Sequence, residues 1–314
     1  MKRFDYQDIN LIPNRCIVDS RNECDTSVTL GKRSFRMPVI PANMECIINQ
    51  ELAKKLAKEN YFYVMHRFIS DDNLIQFISE MNRSRLFVSI SIGVNQESYR
   101  LINRIINMGL YVDYINIDIA HGHSIKMENM IRFLKTTMHG TFIIAGNVST
   151  PKAVIDLERW GADAIKVGIG PGSACTTYPA TGFGSRNCQA SVVYECSSIS
   201  EVPIIADGGI KNPGDIAKSL VLGATMVMVG GIFAGFNDSP GELMQIGDKI
   251  YKEYWGSASS QSGKSERIEG TRNLIEFKDK SILDEYAYLE QCLQSSISYA
   301  GGNNLDAFLQ VKWM

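Results

Sequence analysis

The sequence predicts an α/β fold, a (β/α)8 TIM barrel, on three observations. Eight short, apolar, β-rich runs recur along the 314 residues. Helix-like segments alternate with them, and most run-to-run spacings are about 23–28 residues, the length of one βα unit. No G-x-G-x-x-G follows the first run, which disfavours the runner-up, an open doubly wound sheet.

The eight runs are Met37–Pro41, Tyr61–Met65, Leu86–Ile92, Tyr114–Ile119, Thr141–Ala145, Ala164–Val167, Pro203–Ala206 and Thr225–Val229. Between them, Gln50–Asn60 carries Leu52, Leu56 and Ala57 at helical spacing. Glu97–Met108 carries Leu101, Ile102, Ile105 and Ile106 as one stripe. Thr150-Pro151 opens a helix through Trp160 with an N-cap and a first-turn proline. Asn212-Pro213 opens another, ending near Leu222 with Gly223 at the stop. The gap between Val167 and Pro203 exceeds one βα unit, and the excess is the loop from Gly168 to about Asn187. A second irregular stretch, Gly256 to Gly270, is rich in Ser, Gly and Lys. Long loops in a compact domain are usually functional or disordered. The expected organisation is a single domain over 1–314, with an N-terminal arm at 1–36 and an active-site flap at 256–270.

Composition narrows the class. Hydrophobic residues make up 45% and charged residues 21%, a globular balance. A net charge of −2 gives no global pull toward nucleic acid or an anionic membrane. Seven cysteines without a C-x-x-C pair form neither a disulfide framework nor a zinc-finger pattern, so a reducing, cytoplasmic setting is expected. The first residues show no apolar signal region, and no apolar run reaches membrane-spanning length.

Chemistry concentrates after the strands, where a barrel keeps its active site. Cys175 lies in Gly168-Ile169-Gly170-Pro171-Gly172-Ser173-Ala174-Cys175-Thr176-Thr177, a glycine-rich loop that holds a thiol where a substrate reaches it. Read alone, such a cysteine is more often a small buried hydrophobe. Double glycines follow the last two runs, Gly208-Gly209 and Gly230-Gly231, and give backbone N–H groups close approach to a phosphate. Asp207 beside them suits ribose hydroxyls better than a phosphate. Around His66, His121 and His123 acidic partners are sparse and the spacing matches no tight metal motif, so they read instead as pocket lining or partners of backbone groups.

Taken together, these runs resemble the IMP dehydrogenase/GMP reductase family. The matching stretches are Phe4-Asp5-Tyr6, Asp8-Ile9, Leu11-Ile12-Pro13, Pro38 to Met44, Asp118 to Ser124, Gly146-Asn147-Val148, Gly168 to Thr177, Asp207 to Ile210 and Met228 to Gly231. Dehydrogenases of the family usually carry an inserted regulatory domain, whereas Met65 leads to Leu86 here with room for one helix. Their flap carries an Arg-Tyr pair, whereas Arg267 has no tyrosine after it. The run Gln294 to Gly302 also resembles the ending of the reductase branch.

That branch implies NADPH-dependent reductive deamination of GMP to IMP with release of ammonia, through a covalent cysteine thioimidate. The resemblance makes Cys175 the nucleophile, with Thr177 and Glu269 as a proton-transfer pair. It assigns Asp207, Gly208, Gly209, Gly230 and Gly231 to the nucleotide's phosphate and ribose, and Ser257, Ala258, Ile268 and Gly270 to its base. Asp118, Ile119, Ala120, Ile169 and Gly170 would face the nicotinamide, with Tyr299 and Gly301 reaching a neighbouring subunit's cofactor. Carbonyls of Gly170, Gly172 and Cys175 would hold a potassium ion, and the assembly would be a homotetramer. The alternatives are a dehydrogenase without the regulatory domain, a non-catalytic purine-nucleotide-binding barrel, and a flavin-dependent barrel oxidoreductase.

Overall fold

Apolar runs become fully buried strands when helices cover one face and packed side chains fill the other. The structure, a computed structural model, describes residues 3–256 and 272–314. An antiparallel hairpin, β1 (Val28–Leu30) with β2 (Arg33–Phe35), precedes the barrel. Seven parallel strands follow: β3 (Val39–Pro41), β4 (Ser89–Ile92), β5 (Tyr114–Asp118), β6 (Phe142–Val148), β7 (Ala164–Val167), β8 (Ile204–Asp207) and β9 (Met226–Val229). Their order in the sheet is β3-β9-β8-β7-β6-β5-β4.

The eighth expected run, Tyr61–Met65, touches the sheet at Met65 alone, which bridges to Ile90. Met65 N donates to Ser89 O at 3.0 Å, and Ser91 N donates to Met65 O at 2.8 Å. Side chains hold the rest of the run in place of a ladder. Tyr61 stacks on Tyr286 at 4.0 Å, Phe62 meets Phe35 edge-on at 4.9 Å, and the Tyr63 hydroxyl donates to Phe87 O at 2.9 Å. Asn43, just past β3, donates its Nδ2 to Ser91 Oγ on β4 at 3.0 Å and to Asp118 Oδ2 on β5 at 3.2 Å. Since β3 and β4 are the outermost strands of the seven, these bonds span the gap and require the sheet to curl into the (β/α)8 form.

The helices are α1 (Gln50–Lys58), α2 (Asp71–Arg83), α3 (Gln96–Asn107), α4 (Ile125–Thr137), α5 (Pro151–Trp160), α6 (Thr177–Thr181), α7 (Gln189–Ser197), α8 (Pro213–Val221) and α9 (Ile282–Ala300). Thr150 and Asn212 cap α5 and α8 as expected, each accepting from a backbone N–H of the first turn, with proline at the helix start. The α3 stripe buries Leu101, Ile102 and Ile105, each worth roughly 1.5–3 kcal/mol of apolar transfer, and leaves Ile106 at its edge.

Two features were not legible as such. A small antiparallel sheet of β10 (Leu243–Ile246), β11 (Lys249–Trp255) and β12 (Arg272–Glu276) rises after β9. Residues 257–271 lie between β11 and β12, so the expected flap, apart from Gly256, lies outside the described residues. The N-terminal arm packs against its own chain. Phe4 N donates to Ser191 Oγ at 2.6 Å, Asn10 N donates to Met314 O at 2.9 Å, and Phe4 meets Trp313 at 4.8 Å between ring centroids. Among the described residues, no helix is long and apolar enough to cross a membrane.

Candidate active site

The site grows from the end of β7. Gly168 has φ +146°, and a Cβ there would lie 2.0 Å from Asp207 O, so no side chain fits where the ends of β7 and β8 meet. The buried Gln189 braces this meeting point. Its Nε2 donates to Val167 O at 2.9 Å and to Asp207 O at 3.3 Å, while its Oε1 accepts from Ser185 Oγ at 2.6 Å. Ser185 N in turn donates to Ile169 O at 2.7 Å. The loop between these anchors turns tightly, with Cys175 N donating to Gly172 O at 3.1 Å.

Cys175 is half-buried, and its Sγ lies 3.3 Å from Thr177 Oγ1. Thr177 is buried at the start of α6. A thiol against a hydroxyl, at the rim of a cavity, is the arrangement of a nucleophile with a proton-handling neighbour.

That cavity measures about 1580 Å³. Single ligands occupy roughly 300–1,000 Å³, so two ligands fit side by side. The segments after β7, β8 and β9 bring Cys175, Arg186, Gly208, Gly209, Lys211, Gly230 and Gly231 to its lining, beside Asp207 of β8 and Tyr254 of β11. The segments after β4 and β5, with the start of α4 and Arg67, bring Asn95, Ile119, Ala120 and Lys126. Burial raises the Tyr254 hydroxyl to about 12, partly offset by Ser173, so it faces the cavity as a neutral donor.

A charged cluster lines the same cavity. The Lys166 ammonium, on β7, reaches Asp118 Oδ1 and Asp207 Oδ2, each at 2.8 Å, and also contacts Asn147 Oδ1. Burial favours a neutral amine, but the two carboxylates outweigh it and hold Lys166 protonated well above the usual lysine range. Burial likewise disfavours the Asp118 carboxylate, while Lys166 and Arg67 hold it below its usual value.

The cavity brings together the expected residues Cys175, Thr177, Asp207, Gly208, Gly209, Gly230, Gly231, Asp118, Ile119, Ala120, Ile169, Gly170 and Gly172. Tyr299 and Gly301 stand apart from it. Tyr299 is 64% exposed on the last turn of α9, and Gly301 caps that helix against Arg15. Ser257, Ala258, Ile268, Glu269 and Gly270 lie outside the described residues. Of the histidines, His66 is buried and accepts from Phe68 N at 3.1 Å through Nδ1, while His123 pairs with Asp156 at 2.8 Å. Sequence reasoning missed Lys166, Arg186, Lys211 and Tyr254. Only Lys166 left a signal, a lysine inside a short apolar strand.

Fold and site define a (β/α)8-barrel enzyme with a loop cysteine as its candidate nucleophile. The chain belongs to the IMP dehydrogenase / GMP reductase family, whose domain model matches residues 3–311. It is 51% identical to the GMP reductase of Mesoplasma florum, covering 100% of this chain and 98% of that protein. It is 51% identical to the GMP reductase of Enterococcus faecalis, covering 100% and 96%, and 52% identical to that of Oceanobacillus iheyensis, covering 99% and 95%.

Proposed function

We propose that this chain is a GMP reductase working as one barrel domain, converting GMP, NADPH and a proton to IMP, ammonia and NADP. The observation that carries the reading is the Cys175–Thr177 pair at the rim of a cavity with room for two ligands. The full-length similarity to proteins named GMP reductase supports it.

In this reading the Cys175 thiolate attacks C2 of the purine, and the C2 amine leaves as ammonia. The resulting thioimidate splits one difficult substitution into two easier steps. Thr177 and Glu269 deliver the proton that the leaving amine needs. Glycine backbones at 208–209 and 230–231 bind the phosphate, Asp207 accepts from the ribose, and Ser257, Ala258, Ile268 and Gly270 hold the base. NADPH, when bound, would supply the hydride for C2, and the C2–S bond then breaks, returning Cys175 as a thiolate. The lining residues fit such a group: Asp118, Ile119, Ala120, Ile169 and Gly170 line the wall for a nicotinamide, and the cationic Arg67 and Lys126 suit phosphates.

Potassium would sit on the carbonyls of Gly170, Gly172 and Cys175. The Gly172 carbonyl accepts one N–H and keeps a second lone pair for a cation. Exposed Tyr299 and its neighbour Gly301 would serve an adjacent copy in a homotetramer.

The deciding experiment adds GMP to purified protein with NADPH and follows absorbance and ammonia together. Equal loss of NADPH and gain of ammonia and IMP is expected. NADH formation from IMP and NAD would assign a dehydrogenase instead. Glu269→Gln is expected to lower kcat by roughly 10²–10⁴, the range for a lost proton transfer. A wild-type rate in that variant would remove Glu269 from the mechanism.

A further inference from the structure

Lys166 occupies a position where an apolar strand calls for a hydrophobe. It is the third residue of Ala-Ile-Lys-Val in β7, and its side chain is 2% exposed. Gly146 on β6 makes the space, since a Cβ there would lie 2.6 Å from Lys166 Cβ. The ammonium gathers groups from its two neighbouring strands, Asn147 of β6 and Asp207 of β8, and from Asp118 of β5 beyond β6. Asn147 Nδ2 donates to the same Asp207 oxygen at 2.8 Å and to Gly168 O at 2.6 Å. On the opposite side, Asn43 holds the other Asp118 oxygen at 3.2 Å.

Buried ion clusters are poor sources of stability, because desolvation offsets the attraction and apolar residues of similar volume do as well. This one lines the cavity, with Asp118, Asn147, Lys166 and Asp207 all at its wall. On the functional reading above, Asp207 faces the nucleotide's ribose and Asp118 faces the cofactor. We propose that Lys166 is a positioning residue that couples the two ligand subsites, by sharing one cation between the carboxylate that serves the nucleotide and the carboxylate that serves the cofactor. When one carboxylate engages its ligand, the ammonium redistributes its hydrogen bonds. The other carboxylate then changes in direction and in strength as an acceptor. Such coupling is reciprocal by linkage.

The test is equilibrium binding of GMP and of NADP, each alone and each with the other saturating. Both are measured in a Cys175→Ser background, where no thioimidate forms, and NADP carries no hydride, so neither half of the reaction proceeds. Asp118→Asn keeps shape and removes the charge on the cofactor side. It leaves Lys166 wholly on Asp207, which makes Asp207 a poorer acceptor. It is therefore expected to weaken GMP binding about fivefold, the low end of ordinary coupling, besides weakening NADP. In a Lys166→Met background the same substitution should leave GMP affinity unchanged, which a purely structural role would not produce.

The proposal is overturned if Asp118→Asn weakens NADP while GMP affinity stays within twofold. It is also overturned if the effect on GMP persists undiminished without the lysine. Should Lys166→Met fail to fold, Lys166→Arg replaces it in the cycle. Arg keeps the charge but not the point geometry, so the fivefold cross-effect should change in size, and an unchanged effect counts against the proposal. Failure of the functional reading looks different: wild-type protein would then bind neither ligand, or would not oxidise NADPH with GMP.

Discussion

Cys175 owes its position to two residues that frame its loop. Gly168 permits the close passage of β7 and β8, and Gln189 fastens both strand ends. Replacing Cys175 by serine is expected to abolish turnover while GMP binding stays within about tenfold, since oxygen is the poorer nucleophile and the phosphate contacts remain. Substantial activity in the variant, measured with excess NADPH, would move the nucleophile elsewhere. His66 shows the same dependence on surroundings. Burial lowers its pKa to about 4, and its Nδ1 must stay unprotonated to accept from Phe68 N. The unfolded chain protonates this ring near pH 6.5, so acid favours unfolding. The stability is complete above about pH 6.5 and is lost as pH falls toward 4, up to roughly 3 kcal/mol. Urea unfolding at pH 7 and pH 5 should show a larger loss for wild type than for His66→Gln. Equal losses would place the acid sensitivity in another group.

Among the elements, the arm and the loop after β8 act together through Asp215. This fully buried carboxylate accepts from Gln7 Nε2 at 3.2 Å, from Lys211 N at 3.0 Å and from Asn212 N at 3.3 Å. The short turn Tyr6–Asp8 thereby braces the segment that carries Gly208 and Gly209. Losing Gln7 removes a hydrogen bond worth roughly 0.5–1.5 kcal/mol. Gln7→Ala is expected to raise KM for GMP about two- to tenfold with kcat nearly unchanged, and an unaltered KM in steady-state assays would free the loop from the arm. Local patterns anticipated α3, α5 and α8 within a residue or two, because apolar spacing and caps are properties of neighbouring residues. They overstated Tyr61–Met65, whose aromatic side chains pack against Tyr286, Phe35 and Phe87 from distant parts of the chain. They also missed the sheet β10-β11-β12, in which polar and apolar residues do not alternate cleanly and pairing across residues 257–271 decides the structure.

For the whole molecule, closure rests on the bonds that cross the gap between the outer strands. Asn43 makes two of them, while the Met65 backbone bridges to β4 alone. Asn43→Ala leaves Ser91 and Asp118 short of a buried partner, so a loss of about 1–3 kcal/mol is expected. Denaturant midpoints at constant m-value would measure it, and a shift near zero would mean that closure depends on side-chain packing alone. The sequence by itself determined the fold class, the strand ends that line the cavity and the glycine-rich turn that holds Cys175, because periodicity and turn chemistry act over a few residues. Only the tertiary structure decided that Lys166 lies between Asp118 and Asp207 and that the arm returns to its own barrel. Those partners are separated from Lys166 by 48 and 41 residues, and such contacts arise from strand order and barrel curvature, which local spacing does not encode.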